Sequence, residues 1–388
     1  MSDATGMHEA HKRSLQALAR RRRLRALAPR AGLDFSSNDY LALANSEALR
    51  HAAREALDRG VPPGSGGSRL LRGNDPEHEA LEAEAATYFG SETALFFGGG
   101  FAANTALFGT LPQRGDLIVH DALIHASVHD GMAISRAEHC AFAHNDANAA
   151  EDAISAWRRS GGTGRAWIAV ESLYSMDGDT APLDDLADIA ERHDAMLVID
   201  EAHATGVLGP GGRGLGASLE GHDNVVALHT CGKALGVSGA LITLPTVLRD
   251  YMVNRARPFI YATAPSPLVA AIVRSSLALV NEAPQRRERL AALVSHFGAE
   301  LHRQCGLAST GTHIVPIIVQ RDERALRIAN ALQNDGFDVR AIRPPTVPEG
   351  TARLRISLTL NVTADDVTRL IARLAPLLEE TLSGETEP

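Results

Sequence analysis

Cysteine is scarce in this 388-residue chain: there are three, Cys140, Cys231 and Cys305, and no two share a CxxC spacing. An odd, scattered set excludes a disulfide framework or a zinc knuckle, so no metal site is expected and a reducing cytoplasm is the expected compartment. Excess positive charge is missing too. Lysine and arginine total 38 against 47 acids, a formal charge of −9, which argues against nucleic acid as a partner. No apolar run is long enough to span a bilayer, so no membrane is expected as a partner either. The opening MSDATGMHEAHKRS lacks the apolar core of a secretory signal.

What is there is a globular composition, 45% hydrophobic and 22% charged, at a length that suits two domains or one large domain with a satellite. Residues 8–28 read as helical and carry Arg20, Arg21, Arg22, Arg23 and Arg25, either as a solvated face or as an arm for an anionic ligand. From about residue 90 to 245, β-rich runs alternate with helix-like stretches: ALFF (94–97), DLIVHD (116–121), WIAVES (167–172), MLVID (196–200) and VVALHT (225–230). Between two of them, PLDDLADIAERH places Leu183, Leu186 and Ile189 on one stripe behind Pro182. Such alternation predicts an α/β fold with a mostly parallel sheet covered on both faces. After about residue 265 come a long helical segment (267–304), the strand HIVPIIVQ, a helix (323–335), the strand segments DVRAI and RLRISLTL, and a closing helix from Thr363. The expected organisation is a helical arm over 1–45, a large α/β domain over 46–265 and a smaller α+β domain over 266–388.

In open parallel sheets ligands bind beyond the carboxyl ends of the strands. Those ends carry Gly98-Gly99-Gly100-Phe101 opening a helix, then His125, then Glu171, Ser172 and Ser175, then Asp200 and His203, then Thr230 and Lys233. In HTCGKALGVSGA (229–240) the lysine is surrounded by small residues, which leaves room for something bulky near its backbone. Pyridoxal phosphate needs such a set. Its aldehyde binds a lysine amine, its ring nitrogen needs a carboxylate, and its phosphate needs N–H groups at a helix N-terminus. Lys233, Asp200 and Gly100-Phe101 supply these, Thr230 adds a hydroxyl, and His125 is a flat partner for the ring. Residues 200–203 spell DEAH, as in helicase ATPases. That chemistry also requires an upstream GxxxxGK[ST], and the one GK here, Gly232-Lys233, is downstream and followed by Ala234.

With these residues in view, the chain resembles the α-oxoamine synthases, pyridoxal-phosphate enzymes of the aspartate aminotransferase fold (fold type I). The resemblance runs from FSSNDYLAL (35–43) to RLRISLTL (353–360). It passes through PGSGGSRLLRGN (63–74), FFGGGFAANTALF, HDALIHAS, AFAHND (141–146), SLYSMDGDTAPL, DEAHATGVLGPGGRG and GKALGVSGA. It implies a large domain with a mostly parallel sheet, a smaller α+β C-terminal domain, and a homodimer with shared active sites. By resemblance Lys233 binds the cofactor covalently, Asp200 meets its ring nitrogen, His203 its ring hydroxyl, and His125 stacks on the ring. Ser175 and Thr230 resemble further cofactor contacts, Gly100-Phe101 the phosphate site, and Thr263 a hydroxyl lent to the phosphate by the neighbouring subunit. Arg355 and Asn38 resemble the contacts of the amino-acid carboxylate, Arg343 and Thr346 those of the acyl substrate, and Arg21 that of its thioester carrier. The stretch AIRPPTVPEGTARLRISLT (341–359) resembles the family member that condenses L-alanine with pimeloyl-CoA or pimeloyl-acyl carrier protein in biotin synthesis. Other members of the family pair, for example, glycine with acetyl-CoA, and a catalytically silent member is the reading from another class.

Overall fold

The computed structural model describes residues 8–21, 23–27 and 29–383. A short first strand, β1 (Leu33–Asp34), precedes seven strands that form the central sheet: β2 (Thr93–Phe97), β3 (Leu117–Asp121), β4 (Glu138–Phe142), β5 (Ala166–Glu171), β6 (Met196–Asp200), β7 (Val225–Thr230) and β8 (Ala240–Leu244). Their order is β2-β8-β7-β6-β5-β3-β4, and β8 alone runs antiparallel to its neighbours. The mostly parallel sheet expected from the alternation is therefore present, with one reversed strand placed between β2 and β7.

The apolar runs follow from burial on both faces. Leu117 and Val119 face the helices Ala147–Arg159 and Leu183–Arg192, while Ile118 faces the helices Gly100–Phe108 and Ala126–Ile134. Ile168 and Ala169, and Leu197 and Val198, divide between the faces in the same way. Truncating one of the leucines or isoleucines among these to alanine leaves a cavity that costs about 2–5 kcal/mol. Asp146 and Ser46 cap their helices through the N–H groups of Ala149 and Leu49, so the chain enters each helix at a fixed angle.

A second, antiparallel sheet joins β9 (Ile314–Gln320) to β12 (Ala352–Ser357) and β12 to β11 (Arg340–Ile342). The short β10 (Phe337–Asp338) pairs in parallel with β1, Leu33 opposite Phe337. Beyond β1, Phe35, Tyr40, Leu41 and Leu43 are buried, and backbone bonds from Ser357 N to Phe35 O (2.9 Å) and Leu360 N to Tyr40 O (3.0 Å) fix this segment against β12 and the residues after it. The segment 33–43 is thus part of the core. Two expectations differ in extent. The helix expected over 8–28 spans Glu9–Arg20, with Arg22 and Ala28 outside the described residues, and the segment 267–304 is two helices, Pro267–Glu282 and Pro284–Cys305. Pro284 opens the second one, because it disfavours helical backbone at Ala283 and lacks the N–H that would continue the first. Among the described residues no helix is long and apolar enough to cross a membrane.

Candidate active site

The parallel register delivers β3, β5, β6 and β7 to one edge of the sheet. Glu171 lies directly opposite Asp200, each the last residue of its strand. Asp200 is 6% exposed; its Oδ2 accepts from Asn104 Nδ2 at 2.7 Å and its Oδ1 from Ala202 N at 2.9 Å. Asn104 Nδ2 also donates to Ser127 Oγ at 3.0 Å, so the helix after the glycines orients the carboxylate. Lys233 lies in the connection between β7 and β8, closed by bonds from Cys231 N to Gly239 O (2.9 Å) and Val237 N to Cys231 O (2.9 Å). Gly100, Phe101, His125, Asp200, His203, Thr230 and Lys233 line one cleft with Asn104, Ser127 and Glu171.

Charge in this cleft is set by burial. Burial lowers the Lys233 amine to about 8, against the opposing pull of Asp200 and Glu171 and with help from Arg355. Burial likewise raises the Glu171 carboxyl to about 8, and Asp200 beside it adds to the rise. His203 is held well below the ordinary imidazole range by burial and by Lys233 and Arg355, so it is neutral. Its Nδ1 shares a 2.6 Å bond with the Tyr40 hydroxyl. His125 is lowered by burial as well; its Nδ1 accepts from Ser127 N at 3.2 Å, which puts its proton on Nε2.

The remaining expected residues fall in three places. Ser175 and Asn38 stand beside Arg355: Arg355 Nε donates to Ser175 O (2.6 Å), Nη1 to Ser357 Oγ (2.6 Å) and Nη2 to Asn38 Oδ1 (3.0 Å). Arg343 and Thr346 line a separate groove with Leu15, Leu18, Arg23 and Arg25, and Arg25 Nη2 donates to Thr346 Oγ1 at 3.2 Å. Arg21, at the C-cap of the first helix, is exposed and does not line that groove. Thr263 is exposed and does not line the cleft of its own chain.

Asn104, Ser127 and Tyr40 also contact groups of the cleft, although no motif in the sequence marks them out for that role. The signal at Asn104 was one amide inside the apolar helix FAANTALF, a residue that needs a buried partner. Two of the small residues around Lys233 make room for other parts of the chain. A side chain at Gly236 would meet the backbone of Leu43 and Ala44, and one at Gly239 the Phe96 ring, so these two glycines accommodate the protein's own packing. Glu201, the second letter of DEAH, is an anchor: its carboxylate accepts from Ser172 Oγ and from the backbone of Leu215 and Gly216.

The residues suit pyridoxal phosphate on three counts. Glu171 Oε1 is buried in the cleft wall with no hydrogen-bond partner among the described residues, the amine and carboxylate are walls of the same cleft, and Gly100 opens a helix whose N-cap, Gly99, has no side chain to cap its first N–H groups. A Cβ at Gly100 would stand 3.5 Å from Thr230 Oγ1, so the start of this helix lies against the Thr230 hydroxyl. Fold and cleft together define a pyridoxal-phosphate enzyme of fold type I, and the sequence profile described as Aminotransferase class I and II matches residues 30–374.

The chain belongs to that family, and within it to the acyltransferases called 8-amino-7-oxononanoate synthases. It is 44% identical over 332 residues to the 8-amino-7-oxononanoate synthase of Chromobacterium violaceum, covering 85% of each chain. The solved 8-amino-7-oxononanoate synthase of Francisella tularensis superposes with a TM-score of 0.77 at 28% identity, over 90% of this chain and 99% of that one. A serine palmitoyltransferase from S. paucimobilis, solved with a PLP–myriocin species bound, shares the fold with a TM-score of 0.87 at 24% identity, over 98% of this chain and 100% of that one. The cofactor is pyridoxal phosphate.

Proposed function

We propose that the protein joins the α-carbon of L-alanine to the carbonyl carbon of a pimeloyl thioester, on coenzyme A or acyl carrier protein, releasing carbon dioxide and the thiol and leaving 8-amino-7-oxononanoate. The observation that carries the reading is the cleft in which Lys233, Asp200 and His203 meet, with the charge of Arg355 acting on Lys233 and His203, in a chain 44% identical to a synthase of that name. Pyridoxal phosphate supplies an electron-withdrawing ring conjugated to the α-carbon of the bound amino acid.

Lys233 holds the cofactor covalently and, once its amine is free, takes the proton from the α-carbon. A buried amine near 8 has a usable unprotonated fraction at neutral pH, as a general base requires. Asp200, fixed by Asn104 and Ala202, keeps a proton on the ring nitrogen. His203, neutral and oriented by Tyr40, would bond the ring hydroxyl, and His125, its Nδ1 occupied by Ser127 N, would face the ring with its Nε2 proton available for an oxygen of the substrate. Ser175 and Thr230 add polar contacts, and the N–H groups at Gly100 and Phe101 receive the phosphate with Thr263 from a second copy of the chain, which makes a homodimer the working form. Arg355 presents its planar fork to the alanine carboxylate beside Asn38. The acyl chain and its carrier run toward Arg343 and Thr346, with Arg21 among the basic residues that meet carrier phosphates. The reaction is assigned to the cytoplasm.

Product mass spectrometry tests this directly. With L-alanine and pimeloyl-CoA the holoenzyme is expected to release a product of the mass of 8-amino-7-oxononanoate, dependent on both substrates. Turnover of glycine with acetyl-CoA in its place would move the protein to another member of the family. No turnover with any amino acid and acyl thioester would leave a silent cofactor-binding protein.

A further inference from the structure

His144 stands outside the cleft lining, on the turn after β4, yet both of its ring nitrogens bind carboxylates. Nδ1 is 2.8 Å from Asp121 Oδ1 and Nε2 is 2.8 Å from Asp179 Oδ2. Asp121 is the buried last residue of β3 and also accepts from Leu123 N (2.8 Å) and Asn145 N (2.8 Å). Asp179 also accepts from Asn145 Nδ2 at 2.9 Å, and the Tyr174 ring meets the imidazole edge-on at 4.5 Å. One histidine thus joins the turn that leads to His125, the turn after β4, and the loop 172–181.

That loop is where the two sheets meet. Arg353 Nη1 donates to Met176 O (3.1 Å) and to Asp177 Oδ1 (2.5 Å), Thr312 Oγ1 donates to Gly178 O (2.9 Å), and Arg355 Nε donates to Ser175 O (2.6 Å). At Gly178 a Cβ would stand 2.0 Å from Ile314 O, so the loop already packs backbone to backbone on β9. The position of the Arg355 fork is therefore referred to the central sheet through the loop, and the loop is referred to β3 through His144.

We propose that His144 is a positioning residue, an imidazole clasp between Asp121 and Asp179 that holds the 172–181 loop, and with it Arg355, at the height the amino-acid carboxylate requires. The inference rests on the reading of Arg355 as the partner of that carboxylate. The groups that face the ring are Asp121 from β3, Asp179 and Tyr174 from the loop, and Asn145 beside it. Burial opposes charge on the ring, but its bonds to the two carboxylates outweigh burial and hold its pKa above the ordinary imidazole value of 6.5. The clasp is therefore fully charged below that value and weakens as pH rises through the raised one.

The test uses the holoenzyme and the variants His144→Asn, Asp179→Asn and Arg355→Lys. Hydrogen–deuterium exchange is measured over residues 172–181, and kcat and KM for L-alanine are measured across the neutral-to-alkaline range. In His144→Asn exchange should quicken in that segment and KM for L-alanine should rise roughly tenfold, with kcat within about twofold, as expected when a bound substrate is misplaced by the loss of a remote support. The alkaline rise in KM attributable to His144 should vanish in His144→Asn and begin at lower pH in Asp179→Asn, which removes one of the two charges that hold the proton. Unchanged exchange in both variants, or a fall in kcat at constant KM, overturns the clasp. Arg355→Lys separates the two readings. If it leaves KM for L-alanine unaltered, the carboxylate assignment has failed and the inference falls with it; if it raises KM while His144→Asn does not, the assignment stands and the positioning role alone is overturned.

Discussion

Glu171 and Asp200 lie side by side at the ends of β5 and β6, 3% and 6% exposed, with their carboxyl groups in one cleft wall. Two carboxylates so placed do not ionise together at low cost, and Glu171 carries the strain: burial, then the charge of Asp200, push it from an ordinary 4.5 up to about 8. Below pH 4.5 Glu171 is protonated whether the chain is folded or not. Between 4.5 and about 8 the folded chain keeps a proton that the unfolded chain gives up, so this residue makes stability decline as pH rises through that window. Glu171→Gln cannot ionise and should lack that slope. Its stability relative to the parent should improve from pH 5 to pH 8.5 by on the order of 1–3 kcal/mol, measured by urea unfolding at each pH. A parent and variant that lose stability in parallel would show that Glu171 is ionised throughout.

Asp200→Asn keeps the shape of the side chain and removes its charge. The variant should still bind pyridoxal phosphate but lose about two to three orders of magnitude in kcat, as deletions of a single electrostatic group in a buried site commonly do. Lys233→Ala should abolish covalent attachment altogether. Borohydride reduction and intact-mass measurement distinguish the two, because the Asp200→Asn protein should still acquire the mass of a reduced pyridoxyl group.

Arg355→Lys preserves charge and loses the fork. Three bonds, to Ser175 O, Ser357 Oγ and Asn38 Oδ1, depend on planar nitrogens that one ammonium cannot replace together. A raised KM for L-alanine by about tenfold or more is expected, with a stability loss of roughly 2–4 kcal/mol from partners left unbonded in a buried site. Steady-state kinetics and denaturant unfolding on one preparation separate the two effects.

Gly236→Ala tests packing beneath the lysine. At φ +69° a side chain is strained, and its Cβ would stand 2.5 Å from Ala44 N and 2.7 Å from the Leu43 carbonyl carbon. A loss of about 2–4 kcal/mol is expected in unfolding experiments. Gly232→Ala is the control, since a Cβ there finds its nearest neighbour at 3.7 Å, the Thr230 hydroxyl, and should cost under about 1 kcal/mol.

The inner strands were legible because burial on both faces leaves them as unbroken apolar runs, and their polar last residues announced the cleft: His125 after β3, Asp200 on β6, Lys233 after β7. Strand β4, EHCAF, was not read from the sequence, because it forms the edge of the sheet and its first residues are exposed, so nothing forced an apolar pattern on it. Asn104 and Tyr40 were missed for a different reason. Each acts on a functional group through a hydrogen bond that spans roughly a hundred residues or more, and local spacing holds no record of such pairs. The basic run showed that the N-terminal segment is cationic, but which arginines reach the groove, Arg23 and Arg25, is decided by where the helix ends at Arg20.

The reversed strand has a consequence for turnover. Because β8 runs back beside β7, the nine residues from Cys231 to Gly239 leave the sheet and return to it at adjacent positions, pinned at both ends by the pairing of Thr230 with Ala240. Lys233 is thus a four-carbon tether on a short connection anchored at both ends. If it holds the cofactor as proposed, its amine would need only rotations about its own side-chain bonds to return after release, so recapture would occur at an effective concentration far above that of any amine in solution.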